Sequence, residues 1–142
     1  AMKLGQESRL ASRQMGRQVI RIAAEQSSAS RVVQEFRAAV DAETTPGHLP
    51  IVMGLTLGAA GWDRESAIAG YLYQVAVGFM SAALKLLPIG QREGQRLLDS
   101  WTPVIAEISR AASPKRPLSS WTPIQDIYAM RHSRLESRLF RS

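Results

Sequence analysis

Cysteine is absent from this sequence, and only two histidines, His48 and His132, occur among its 142 residues. Without cysteine there is no disulfide staple, no thiolate nucleophile and no thiolate zinc ribbon. Two histidines cannot build a multi-histidine transition-metal site within one chain; each would serve at most as a single ligand at an interface, and a lone histidine is more commonly a satisfied polar group. The sequence also has no H-E-x-x-H, no G-x-S-x-G and no paired carboxylates at a recognisable spacing. Gly90-Gln91-Arg92-Glu93-Gly94-Gln95-Arg96 has the glycines of a phosphate-cradling loop. It lacks the Lys-Ser/Thr that must follow the last glycine, and a helix rather than a strand precedes it, so it reads as a corner between two helices. No run alternates with period two for long enough to make a strand. These absences predict an all-α, non-enzymatic protein with no cofactor and no metal site of its own.

What is present is a basic balance. Eighteen Lys and Arg face twelve Asp and Glu, a formal charge of +6, and fifteen of the eighteen are arginine. Arginine favours forked, planar contacts with carboxylate or phosphate over loose point charges. Such a balance admits nucleic acid, acidic proteins or anionic membranes as partners. Residues 3–26 predict an amphipathic helix, with Leu4, Ala11, Met15, Val19 and Ile22 on its apolar face. Arg9, Arg13, Arg17 and Arg21 form a stripe opposite, which is either a solvated face or a docking strip for an acidic partner. A nucleic-acid binder would interleave stacking aromatics with these arginines, and this helix has none. A basic helical nucleic-acid-binding module is therefore the alternative reading of function, not the leading one.

The stretch that organises the chain is Ala67–Leu84, eighteen residues without a charge. Asp63 stands before it as an N-cap, and Lys85, Pro88 and Gly90 close its far end. Gln74 and Ser81 are its clearly polar side chains, so no polar face recurs with the helical period. This predicts a central helix, about 64–88, buried on nearly all sides. Its length also reaches that of a membrane span. The many Ala, Gly and Ser positions and the absence of a second such run favour the buried helix. Lys85, the one charge at its end, either snorkels to water or pairs with a carboxylate in a partly enclosed cavity.

The remaining helices follow from punctuation and spacing. Residues 31–43 predict a helix with Val32, Val33, Phe36 and Val40 at core positions, ended by Thr44-Thr45-Pro46-Gly47. Pro50 fits the first turn of a helix over about 48–60. A fifth helix over about 91–112 carries Leu97, Leu98, Trp101, Ile105 and Ile108, and Pro103 should kink it. Residues 113–119 read as a linker within a single domain spanning 1–142. Thr122, Pro123 and Gln125 form a capping box that starts a last helix reaching about Phe140, with Ile124, Ile127, Tyr128, Leu135 and Leu139 inward. Ser100-Trp101-Thr102-Pro103 is echoed at Ser120-Trp121-Thr122-Pro123, which reads as chance combined with the usefulness of Thr-Pro at a helix entry.

Three ordered motifs carry a family resemblance. Met130-Arg131-His132 with Ser137-Arg138-Leu139-Phe140-Arg141-Ser142 resembles the C-terminus of the urease accessory protein family UreF. Lys85-Leu86-Leu87-Pro88-Ile89-Gly90-Gln91, with Gly94-Gln95-Arg96-Leu97-Leu98, is similar to that family's mid-chain signature, and His48-Leu49-Pro50-Ile51-Val52-Met53-Gly54 to the segment opening the helix before it. The resemblance implies a cytoplasmic, non-enzymatic urease chaperone that forms a homodimer. It implies a bridge between UreD (also called UreH) and the GTPase UreG, in an assembly that delivers nickel to apo-urease, with the GTPase step modulated. No nucleic acid and no membrane would be involved. On this resemblance the partner-binding residues are Lys85, Gly90, Gln91, Arg131, His132, Arg138, Leu139, Phe140 and Arg141. The family's N-terminal helices precede the equivalent of Lys3, so the resemblance further implies exposed apolar surface where those helices would pack.

Overall fold

The computed structural model describes residues 5–26, 30–112 and 122–131. Six helices follow in order, and no strand occurs among the described residues: α1 (Gln6–Gln26), α2 (Arg31–Asp41), α3 (Leu49–Ala59), α4 (Arg64–Leu86), α5 (Gln91–Ala111) and α6 (Pro123–Arg131). The all-α expectation holds, and helix boundaries fall within a few residues of those read from the sequence. The linker at 113–119 and the last helix beyond Arg131, with Leu135, Leu139 and Phe140, lie outside the described residues. The contacts divide the chain into one unit of Ala1–Ala59 with Arg116–Ser142 and another of Ala60–Lys115.

In the first unit α1 packs on α3 and α2 through an unexpected face. Its buried residues are Ser12, Gly16, Ile20 and Ala24, spaced by four. Met15 and Ile22, expected inward, are 49% and 48% exposed, and Val19 only borders the core; Leu4 lies outside the described residues. The reason is steric. At Gly16 the helix meets the backbone of the turn between α2 and α3, where an added Cβ would lie 2.0 Å from the Gly47 carbonyl oxygen. Only small residues admit that approach, so the small residues face in and the large ones slide to the rim. Ser12 Oγ accepts a hydrogen bond from the Leu49 N–H at 3.3 Å, which satisfies one of the orphan donors that open α3. Below this seam Ile20 and Ala24 pack with Val33 and Val52, flanked by Phe36 and Leu55. Gln34 closes the top of α1 by donating from Nε2 to the Ala24 carbonyl at 2.8 Å. Val32, also expected inward, is 58% exposed, because its neighbour Val33 takes the core position.

α2 ends in a Schellman motif. The Glu43 N–H donates to the Val40 carbonyl and the Thr44 N–H to that of Ala39, at 3.2 and 3.0 Å. Glu43 occupies the left-handed position at φ 57°, normally taken by glycine. Its carboxylate accepts from Arg17 Nη2 at 3.2 Å, an exposed pair, so one member of the arginine stripe is engaged within the unit. The backbone strain predicts that Glu43→Gly is more stable than Glu43→Ala by about 1 kcal/mol, since both lose the ion pair and only glycine tolerates the conformation. Urea unfolding of the two variants measures the difference.

In the second unit α4 and α5 are joined by four residues, Leu87–Gly90, so they run antiparallel. The corner expected at Gly90 is present: Leu87 N–H donates back to the Ala83 carbonyl and Gly94 N–H to that of Gly90. Gly94 is buried where an added Cβ would stand 3.0 Å from Met80 Sδ and 3.2 Å from Leu84 Cδ2, which sets the close approach of the two helices. α5 continues as helix through Pro103.

Asp63 caps α4 as the sequence predicts. Its carboxylate accepts from the Ser66 hydroxyl at 2.6 Å and from the Ser66 N–H at 3.0 Å. These bonds, the hydroxyl's foremost, hold the Asp63 carboxyl below its usual 3.8. A lowered carboxyl contributes stability above the ordinary value and loses it as pH falls through the lowered one. Carboxyl NMR titration should therefore give an Asp63 midpoint below 3.8, and Ser66→Ala should move it back up.

Candidate functional site: an apolar groove on α4 and α5

The burial expected of the central helix is not found. Ala76 and Met80 are its buried residues, at 8% and 6%, whereas Phe79 is 68% and Tyr73 45% exposed. The cause is a shortage of neighbours: within its unit α5 alone lies against α4, and it covers the Ala76–Met80 side. Length and composition would also let α4 cross a membrane.

On one flank the two helices form a groove of about 310 Å³. Leu72, Val75 and Phe79 line it from α4, and Trp101, Val104 and Ile108 from α5, with Ala76 and Ile105 between them. Val104 and Ile108 are 51% and 49% exposed. Nothing in this lining carries a charge or a nucleophile, so the groove can hold apolar side chains and cannot move a proton. Its composition explains why sequence reasoning passed over it. α4 is apolar all round, so periodicity singles out no open face, and Val104 falls beside the Leu98–Trp101–Ile105 stripe rather than on it. Of the expected α5 stripe, Leu98 is buried, Trp101 and Ile108 line the groove, and Leu97 is 40% exposed. Half-burial pushes the Tyr71 hydroxyl above its usual 10.0.

Four of the predicted partner-binding residues are among those the structure describes. Lys85, in the last turn of α4, is exposed, as are Gly90, the N-cap of α5, and Gln91, its first residue. The structure thus brings these three together at the α4–α5 corner, with Lys85 at the water-facing end of its helix. Arg131 is exposed and ends the described part of α6. His132, Arg138, Leu139, Phe140 and Arg141 lie outside the described residues. Ile124 and Tyr128, expected inward on α6, are each 69% exposed, and the Thr122 hydroxyl reaches Asp126 Oδ2 at 3.5 Å. The His48 carbonyl accepts from the N–H groups of Ile51 and Val52 at 3.0 and 3.1 Å and so opens α3. Among the described residues no group of three or more His, Asp or Glu side chains is placed to hold a metal ion.

Comparison with known proteins gives a consistent result. The UreF family model matches residues 1–102. A protein named urease accessory protein UreF from Bacillus sp. (strain TB-90) is 30% identical over 144 residues, covering 100% of this chain and 63% of its own length. Proteins of the same name from Actinobacillus pleuropneumoniae serotype 3 (strain JL03) and Arthrobacter sp. (strain FB24) are 29% and 30% identical, again over the whole of this chain and over 63% and 64% of their own lengths. No solved structure matches. The chain spans a little under two thirds of the length of these curated relatives. With the family model matched over most of the sequence and relatives aligned along all of it, the chain belongs to the UreF family of urease accessory proteins.

Proposed function

We propose that this protein acts in urease maturation as a non-enzymatic scaffold. It bridges UreD (UreH) and the GTPase UreG, so that nickel reaches apo-urease, and it modulates the GTPase step. The observation that carries this reading is the alignment of the whole chain with relatives named urease accessory protein UreF. The character of the described surface supports it, since an uncharged groove, exposed arginines and a polar helix corner suit contacts between proteins. The corner of Lys85, Gly90 and Gln91 is one proposed contact, and the tail of Arg131, His132, Arg138, Leu139, Phe140 and Arg141 is the contact for UreD. Leu139 and Phe140 beside two arginines combine apolar anchors with forked cations, residue types that dominate interface energetics. The GTP and nickel sites then belong to the partners. The protein works in the cytoplasm as a homodimer and engages neither nucleic acid nor membrane; the nucleic-acid reading has no observation in its favour beyond net charge.

Co-purification with cognate UreD and UreG tests this. Capture of UreD is the expected result, and Phe140→Ala combined with Arg141→Ala should weaken it about tenfold or more while the far-ultraviolet circular dichroism stays unchanged. Failure of the unsubstituted chain to bind either partner, or undiminished capture by the double variant, would count against the scaffold or its tail contact respectively.

A further inference from the structure

Three arginines of α1 stand in a row. Arg13, Arg17 and Arg21 each follow a buried residue of the seam, Ser12, Gly16 and Ile20, and so lie about 100° round the helix from it. Steps of four residues set them about 6 Å apart along the axis. Arg17 is bonded to Glu43, whereas Arg13 and Arg21 have no carboxylate partner among the described residues. On α2, by contrast, Arg31 and Arg37 are each paired with an acid one turn on, Glu35 and Asp41, at 2.6 and 3.5 Å. We infer that the α1 row receives the carboxylates of an acidic amphipathic helix of another protein, with Asp or Glu repeated every fourth residue. None of these arginines belongs to the UreD contact or to the α4–α5 corner, and the row is independent of the maturation role.

The row itself shows which group it takes. Arg17 Nη2 donates to Glu43 Oε1 at 3.2 Å, so a carboxylate is already seated at its middle and occupies one nitrogen of the fork. A helix lying along α1 repeats the same four-residue step, which brings its carboxylates to the arginines in register. Leu10, 48% exposed, lies within about 20° of Arg17 and Arg21 round the helix and adds an apolar contact at one end of the row. A peptide ridge can cover that side chain, whereas a sugar–phosphate backbone cannot. α1 also has no aromatic residue on which a base could stack. A second copy of this chain offers no matching acids. Glu35, Asp41 and Glu43 are already paired. Glu93, Asp99 and Glu107 on α5 are six and eight residues apart and form no row.

The test titrates the full 142-residue chain into a labelled synthetic helical peptide, with glutamate at every fourth position and alanine between, and reads fluorescence anisotropy at low salt. Binding is expected, and glutamine in place of each glutamate should weaken it about tenfold or more. Arg13→Glu combined with Arg21→Glu should cause a similar loss. Arg21→Glu alone, at an exposed position, should cost about threefold. Arg92→Glu combined with Arg96→Glu changes the net charge equally but lies on α5, and should cost no more than about twofold. None of these four arginines makes an ion pair among the described residues, so every variant should keep its circular dichroism. Four results would overturn the proposal: no binding of the glutamate peptide, equal binding of the glutamine peptide, equal losses from the α1 and α5 reversals, or equally tight binding of a DNA duplex. The peptide is read without UreD or UreG, so this proposal and the scaffold reading can each fail while the other stands.

Discussion

Replacing Gly16 by alanine is expected to cost the α1–α3 unit about 3 kcal/mol or more, despite the better helix propensity of alanine. The added Cβ would sit 2.0 Å from the Gly47 carbonyl oxygen and 2.9 Å from the Leu49 nitrogen. Both are backbone atoms, so no side-chain rotamer relieves the clash and α1 must lift off the turn. Lifting it breaks the bond from Leu49 N–H to Ser12 Oγ, leaving Ser12, 1% exposed, without that partner. It also draws Ile20 and Ala24 away from Val33 and Val52. Against this stands a propensity gain of about 1 kcal/mol, which is too small to offset it. Gly58→Ala is the matched control. That glycine is also helical, an added Cβ there meets nothing within 4 Å, and the propensity gain should appear undiminished. Urea unfolding of the two variants separates them: Gly16→Ala should lower the midpoint and Gly58→Ala should hold or raise it. Equal midpoints would mean that α1 does not rest on the 47–49 backbone.

Helix existence and boundaries were legible because the signals are local. Asp63 before Arg64, Pro50 in the first turn of α3 and Gly90 before Gln91 act on the backbone beside them. The direction a helix faces is decided by what lies opposite, and there the reading failed. On α1 the hydrophobic count pointed to Met15 and Ile22, but the facing surface is a backbone turn that accepts Ser12 and Gly16. On α2 two adjacent valines compete for one core position and Val33 wins it. The repeated Ser-Trp-Thr-Pro shows the same limit. In its second copy Pro123 begins α6, whereas in its first Pro103 sits inside α5 and the Thr102 hydroxyl bonds back to the Leu98 carbonyl. One tetrapeptide serves two roles because neighbouring turns, not the four residues, decide whether the helix has already started.

Site legibility divides along similar lines. Lys85, Gly90 and Gln91 were singled out by motif, and the short connection between α4 and α5 places them near one another. The groove carries no motif. Its residues are ordinary Leu, Val, Ile, Phe and Trp, and they differ from core residues only in lacking a covering element. The uncharged circumference of α4 did register in the sequence, as an expectation of burial. Exposure of Phe79 and Tyr73 departs from that expectation because within its unit α5 alone lies against α4.

The clearest check of the α1 packing is Ile20→Ala, expected to destabilise its unit by about 3 kcal/mol. Ile20 is 1% exposed and contacts the centre of the cluster formed with Ala24, Val33 and Val52. Truncation removes apolar area and leaves a cavity that Val33 and Val52, each on a different helix, cannot both move to fill. Hydrophobic periodicity alone would instead rank Met15→Ala and Ile22→Ala as the costly changes. With those side chains 49% and 48% exposed, each should shift stability by no more than about 0.5 kcal/mol. The three variants lie within eight positions on one helix and share its propensity background, so urea midpoints compare burial almost in isolation. A large loss for Ile20→Ala beside small ones for the other two places the Ser12–Gly16–Ile20–Ala24 seam inward. The reverse ranking would rotate α1 by about a third of a turn, move Gly16 off the Gly47 carbonyl and remove the basis of the alanine prediction at that glycine as well.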